Sequence, residues 1–245
     1  MKIALLGYGK MGKAIETEAV LRGHTIISKI DVSSTSADWE NLKQADVVIE
    51  FTRPESALEN IKKIIELNIP IVVGTTGWYE NYNQVKTWVS EHNASLLHAT
   101  NFSIGVQLFF RINSFIANVF NSFPEYNLSI EEIHHTQKLD APSGTAITLA
   151  EKIIQNYPAK KSWELYNTEN TNPDNLSILA LRKDDVPGTH IVKYDSSIDS
   201  IHLSHIAHNR RGFAMGAVLA AEWIQNKKGI FGMENVINEL IKINL

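Results

Sequence analysis

The chain has 245 residues, long enough for one large domain or two modest ones. Hydrophobic residues at 44% and charged residues at 20% exclude a disordered chain, and a net charge of -4 gives no reason to expect a nucleic-acid or anionic-membrane partner. The absence of cysteine removes disulfides and thiolate metal sites and fits a cytoplasmic home, and no apolar run approaches the length of a membrane span.

Residues 2–6 read as a short buried strand, followed by Gly7-Tyr8-Gly9-Lys10-Met11-Gly12 and a helical run over 13–23. This opening reaches glycines and lysines too soon for a secretory segment. Strands are expected at 25–31, 45–51, 69–76 and 94–100, and helices at 55–68 and 81–93. Residues 33–36, Ser-Ser-Thr-Ser, read as a low-complexity patch. Alternating strands and helices argue for a parallel sheet covered on both faces.

The pattern then changes. Residues 104–122 read as an apolar helix, 127–135 as a strand and 145–157 as a helix. Strand candidates follow at 176–183, 189–197 and 199–209, which suggests a mixed or antiparallel sheet. The polar stretch 167–175 reads as a surface loop, 216–229 as a helix and the tail as a short helix. The fold expected is α/β: a Rossmann-type dinucleotide-binding domain (1–102 and 211–245) plus an α+β substrate and oligomerisation domain with a mixed sheet (103–210).

The glycine run matches G-x-G-x-x-G between a strand and a helix. Gly7 permits the tight turn, Gly9 lets a pyrophosphate approach the backbone, and Gly12 lets helix and strand pack closely. The helix start adds N–H groups and a positive dipole end. Asp31 stands where an acid accepts the hydroxyls of an adenine-ribose. Val32, Ser33 and Ser34 follow it with no adjacent cation, which favours NADH over NADPH, with Lys10 and Arg53 as cations able to reach in from other loops. Phe51-Thr52-Arg53-Pro54, Gly74-Thr75-Thr76-Gly77 and Ala99-Thr100-Asn101-Phe102 fall at the C-terminal ends of predicted strands, where open α/β sheets bind ligands.

Between the 127–135 strand and the 145–157 helix lie His134, His135, Lys138, Ser143, Gly144 and Thr145. Ser143 suits an N-cap, which puts the Gly144 and Thr145 amides in an electropositive first turn fit for a carboxylate. The two histidines alternate sides, so at most one faces a given pocket. One of them suits general acid–base work near neutral pH or a substrate contact. A zinc site is not expected, because adjacent histidines rarely share a metal.

The run from His134 to Ala146, His-His-Thr-Gln-Lys-Leu-Asp-Ala-Pro-Ser-Gly-Thr-Ala, resembles the signature of the 4-hydroxy-tetrahydrodipicolinate reductase (dihydrodipicolinate reductase) family. The glycine fingerprint, the three strand-end stretches and Phe213 to Val218 resemble the family pattern in order. The resemblance implies an NAD(P)H-dependent reductase of a cyclic dicarboxylate imine on the diaminopimelate route to lysine. It implies His134 and Lys138 as catalytic, and His135, Gly144 and Thr145 on the substrate carboxylates, with Ser143 at the same helix start. It places the dinucleotide on residues 7–12, Asp31, Gly74, Thr75, Thr76, Ala99, Thr100, Asn101 and Phe102, and implies a homotetramer built through the substrate domain. The chain departs from the pattern at Val32, where a base is common, at Thr100, where a small apolar residue is common, and in a shortened 31–45 segment. Two other readings predict different behaviour: a dehydrogenase of another dicarboxylate would lack the His134–Thr145 signature, and a dinucleotide sensor would bind NADH without turnover.

Overall fold

Short aliphatic runs make the strands of the first unit: β1 (Lys2–Leu6), β2 (Thr25–Ile30), β3 (Val47–Glu50), β4 (Ile71–Val73) and β5 (Ser95–His98). A computed structural model describes residues 1–167 and 172–241. The chain divides into two compact units, Met1–Ile104 with Arg210–Leu245, and Gly105–Asn209. In the first unit, β1 and β3–β5 are buried on both faces over nearly their whole length, as parallel strands between helix layers must be. The connecting helices are α1 (Lys10–Leu21), α2 (Ser36–Leu42), α3 (Pro54–Glu66) and α4 (Tyr82–Glu91). In α3, Pro54 opens the first turn, and Ala57, Ile61, Ile64 and Ile65 form the buried stripe that fixes it to the sheet.

The second unit holds α5 (Ile104–Phe120), β6 (Asn127–His134), α6 (Gly144–Asn156), β7 (Ser162–Leu165), β8 (Asn175–Arg182), β9 (Thr189–Asp195) and β10 (Ser200–Ile206). The chain then returns through α7 (Arg211–Trp223), β11 (Gly229–Phe231) and α8 (Met233–Leu240). The first sheet runs β2-β1-β3-β4-β5-β11, parallel throughout. One apolar core, with Ile3, Leu5, Ile15 and Ala217, lies on one face, and another, with Ala4, Leu6, Ile61 and Val85, on the other. The second sheet runs β10-β9-β6-β8-β7; β6 pairs antiparallel with β9 and parallel with β8. Leu128 and Ile130 of β6, Leu176 and Ile178 of β8 and Val192 and Tyr194 of β9 share one core with Phe109, Phe110, Leu149 and Ile153.

The α/β reading holds, with four local differences. The patch at 33–36 enters α2, where Thr35 and Asp38 form a capping box. The edge strands β7 and β11 were not anticipated, and α7 starts at Arg211 instead of 216. Within the expected 167–175 loop, residues 168–171 lie outside the described residues, as do 242–245 of the tail.

Candidate functional site

All strands of the first sheet run the same way, so their C-terminal ends share one edge. The loops after β1, β3, β4 and β5, and Asp31 after β2, therefore line up there. From β2 to β5 is four strand spacings, about 19 Å at about 4.8 Å each. The strand order reverses between β1 and β3, the crevice in which open α/β sheets hold ligands.

The glycines of this edge differ in what constrains them. Gly7 has φ +88°, and an added Cβ would lie 2.0 Å from the Phe51 carbonyl oxygen; at Gly12 it would lie 2.3 Å from the Gly7 carbonyl oxygen. At Gly9 it would meet no atom within 4 Å. Gly9 caps α1 without a side-chain bond, and no acid stands in the first turn of that helix. Packing thus requires Gly7 and Gly12, whereas the space at Gly9 is a cradle suited to a phosphate. A dinucleotide fits this donor set.

Asp31 Oδ1 accepts from both the Ser33 hydroxyl (2.6 Å) and the Ser33 amide (2.8 Å), which hold the carboxyl below its usual range. Lys29, the cation nearest in sequence, is tied to Glu16 at 2.7 Å. The Thr52 amide donates to Thr75 Oγ1 at 2.8 Å, joining the loops after β3 and β4. Gly74 is demanded by the Phe51 ring, 2.1 Å from an added Cβ. Thr76, Ala99 and Thr100 are more exposed, while Asn101 and Phe102 are buried, the Phe102 ring 5.6 Å from that of Phe51. For Phe102 the side chain belongs to the core.

In the second unit, the alternation of β6 builds the site. Leu128, Ile130, Glu132 and His134 occupy one buried face, so the row that begins apolar ends in an acid and an imidazole. His190 of β9 pairs directly with Glu132, and Arg182 of β8 with His134. The Ser143 amide donates to Glu132 Oε1 at 2.9 Å, and Arg182 lies 3.6 Å from the same carboxylate. Glu132 Oε2 is 3.5 Å from His134 Nδ1 and 3.7 Å from His190 Nε2. Arg182 also donates to the carbonyls of Lys138 (3.2 Å) and Asp140 (2.6 Å), bracing the loop before α6. Lys138 Nζ is bonded to both Asp140 carboxylate oxygens at 2.7 and 2.9 Å.

Burial and the neighbouring His190 push His134 down to about 4, against the pull of Glu132, so its imidazole is neutral near pH 7. Burial raises Glu132, but the nearby His190 ring and the Ser143 donors outweigh it and bring the acid to about 2. Glu132, His134 and His190 present ligand atoms within 4.8 Å of one another. Their carboxylate already faces a guanidinium and an amide donor, and we read the group as a proton site.

The structure brings His134, Lys138 and Ser143 to this end of β6, with Gly144 and Thr145 opening α6. His135, half-buried one residue past the strand end, shares none of the contacts around Glu132. Ser143 is the expected N-cap: its Oγ caps α6 by accepting from the Ala146 amide and sits 3.3 Å from His190 Nε2, and its amide donates to Glu132. Sequence reading missed Glu132, Arg182, His190 and Gly188. An added Cβ at Gly188 would lie 3.1 Å from His134 Nε2. The spacing of Glu132 two residues before His134 was a usable signal; the others come together only through strand register.

Comparison with known proteins matches residues 1–102 to the family model "Dihydrodipicolinate reductase, N-terminus" and residues 105–237 to its C-terminal counterpart. A 4-hydroxy-tetrahydrodipicolinate reductase of Christiangramia forsetii is 43% identical over 242 residues, covering 99% of this chain and 100% of that protein. One from Neisseria meningitidis serogroup B is 34% identical over 201 residues, 80% of this chain and 74% of the relative. Among solved structures, a dipicolinate-bound dihydrodipicolinate reductase from Paenisporosarcina superposes with a TM-score of 0.76 at 23% identity, covering 96% of this chain and 98% of that one. A diaminopimelate dehydrogenase of Corynebacterium glutamicum shares the fold at a TM-score of 0.52 and 12% identity.

Proposed function

This chain belongs to the dihydrodipicolinate reductase family, and from that premise we propose how its residues divide the work. The reaction is the NAD(P)H-dependent reduction of 4-hydroxy-tetrahydrodipicolinate to tetrahydrodipicolinate with release of water, on the diaminopimelate route to lysine. We assign the first unit, expected as 1–102 with 211–245, to the dinucleotide, and the second, expected as 103–210, to the substrate. Residues 7–12 take the pyrophosphate, Asp31 the adenine-ribose, and the loops at 74–76 and 99–102 the nicotinamide end. Bound NADH or NADPH supplies the hydride. NADH is favoured because the ionised Asp31 would repel a 2'-phosphate, Val32 offers no charge and Lys29 is engaged by Glu16.

The observation that carries the assignment is the imidazole of His134, nearly buried at the end of a core-facing row, beside Lys138 and ahead of a helix start. The substrate is a dianion of the chemical class of dipicolinate, for which the Paenisporosarcina structure is named. Its carboxylates are assigned to Lys138, His135 and the Gly144 and Thr145 amides, where cations and the helix dipole balance its charge. Bringing a dianion beside His134 raises the affinity of the imidazole for a proton. His134 and Lys138 then deliver the proton that accompanies hydride addition and loss of the 4-hydroxyl as water.

We further assign a homotetramer formed through the second unit, acting in the cytoplasm. A concavity of about 540 Å³ on that unit, lined by Ser129, Glu131, Ser177, Leu179 and Lys193, holds none of the catalytic residues and leaves that surface for a neighbouring copy. No helix among the described residues is long and apolar enough to cross a membrane.

The test couples the protein to the preceding synthase, with pyruvate and aspartate semialdehyde, and follows NADH and then NADPH absorbance. Rapid loss, faster with NADH, and its collapse in His134→Gln with Lys138→Ala are expected. Folded protein that binds NADH and oxidises neither cofactor would overturn the assignment.

A further inference from the structure

Two buried polar atoms at the end of β6 face one another without a partner. Glu132 Oε2 and His134 Nδ1 are both shielded from solvent, neither has a hydrogen bond, and they stand 3.5 Å apart. A buried acceptor and a buried ring nitrogen cost free energy while unpaired. A shift of a few tenths of an ångström joins them. The other oxygen of the acid is anchored by the Ser143 amide at 2.9 Å, and its backbone is pinned between β8 and β9, so the carboxylate stands where the ring must come to it.

We propose that Glu132 is a positioning residue for His134: it accepts a hydrogen bond from Nδ1–H and thereby leaves Nε2 as the nitrogen that exchanges a proton with the substrate. This rests on the catalytic assignment of His134. The other face of the ring supports the same tautomer. Gly188 is the residue beside Nε2, and its missing side chain keeps the approach to that nitrogen open. The charged and titratable groups facing the imidazole are Glu132 on its own strand, Arg182 from β8, His190 from β9, with its rings 5.1 Å away at 73°, and Lys138 from the following loop. Beyond His190, His205 of β10 is its cross-strand partner. Glu132 is the one carboxylate in this set, so it sets the tautomer and opposes the depression caused by burial and the surrounding cations.

The nitrogen chemical shifts of His134 in uniformly 15N-labelled protein test this, with the signals assigned by their loss in His134→Gln. The expected wild-type pattern at pH 7 is a protonated Nδ1 and an unprotonated Nε2. In Glu132→Gln the amide offers a donor or a weaker acceptor to Nδ1. The tautomer should move toward protonated Nε2, kcat should fall about 10- to 100-fold, and KM for NADH should hold within about threefold, the size of effect known for orienting partners of reactive histidines. The kcat limb assigned to His134 should move to lower pH, because a carboxylate that stabilised the imidazolium is gone. A wild-type ring protonated at Nε2, or a Glu132→Gln protein with unchanged tautomer, pH limb and kcat, overturns the proposal. The wild-type tautomer decides the matter if the variant does not fold. Absence of turnover in wild-type protein whose Nδ1 is protonated would instead count against the catalytic assignment and leave the pairing standing.

Discussion

At the scale of single residues, His134 and Glu132 tie the site to pH. The folded protein holds His134 at about 4, below its ordinary 6.5, and Glu132 at about 2, below its ordinary 4.5. Both prefer the deprotonated form in the fold, so the unfolded chain takes up protons first as pH falls. Stability is then full above about 6.5, declines through the His134 window to about 4, and declines again through the Glu132 window. Urea unfolding at pH 7 and pH 4.5 should show a loss on the order of 2 kcal/mol, most of it absent in His134→Gln. A second prediction concerns Gly188. In Gly188→Ala the new methyl would crowd Nε2, and displacing the ring by a few tenths of an ångström should lower kcat about tenfold while NADH affinity is kept. The histidine, the lysine and the helix cap were legible because they sit together in sequence. His190 and Arg182 were not, because they reach Glu132 and His134 only through a register that no local pattern encodes.

At the scale of elements, the strand–glycine–helix unit at the N-terminus separates packing from binding. Gly7→Ala sets a Cβ 2.0 Å from the Phe51 carbonyl oxygen, so it should cost stability and binding together. Gly9→Ala meets no protein atom within 4 Å and should leave the melting temperature within about 2 °C. It should weaken NADH binding at least tenfold by filling the phosphate cradle, as titration of protein fluorescence would show. The alternation of strands and helices was readable because central parallel strands are uniformly apolar and the helices between them carry stripes. Elements escaped for specific reasons. The Ser-Ser-Thr-Ser patch hides the capping box of α2, and β7 and β11 have four and three residues, too few for a period to register. Gly212 and Gly216 disguise the start of α7; at Gly216 a Cβ would lie 1.7 Å from the Phe102 carbonyl oxygen, so the glycine there is a close approach within a helix.

At the scale of the whole molecule, the second unit carries apolar surface that one chain leaves uncovered. Leu108, Ile112, Phe115 and Val119 repeat along one side of α5, and Ile201 and Ile206 stand out on β10. Sedimentation should give a species near four times 27.5 kDa, and Phe115→Asp with Ile201→Glu should shift it to smaller species. The order in which the two units are strung has its own consequence. The second is one continuous stretch, 105–209, whereas the first waits for α7, β11 and α8 to supply Ala217, Val218, Ala221, Met233 and Val236 to its core. During synthesis at about 5–20 residues per second, the middle of the polypeptide can therefore close before its beginning does. The nascent N-terminal half remains a sheet missing one edge and part of one helical layer until α7, β11 and α8 have been made. Removing α8 alone would take Met233 and Val236 from that core while α7 and β11 stay in place, so the first unit would be weakened at its last-made layer.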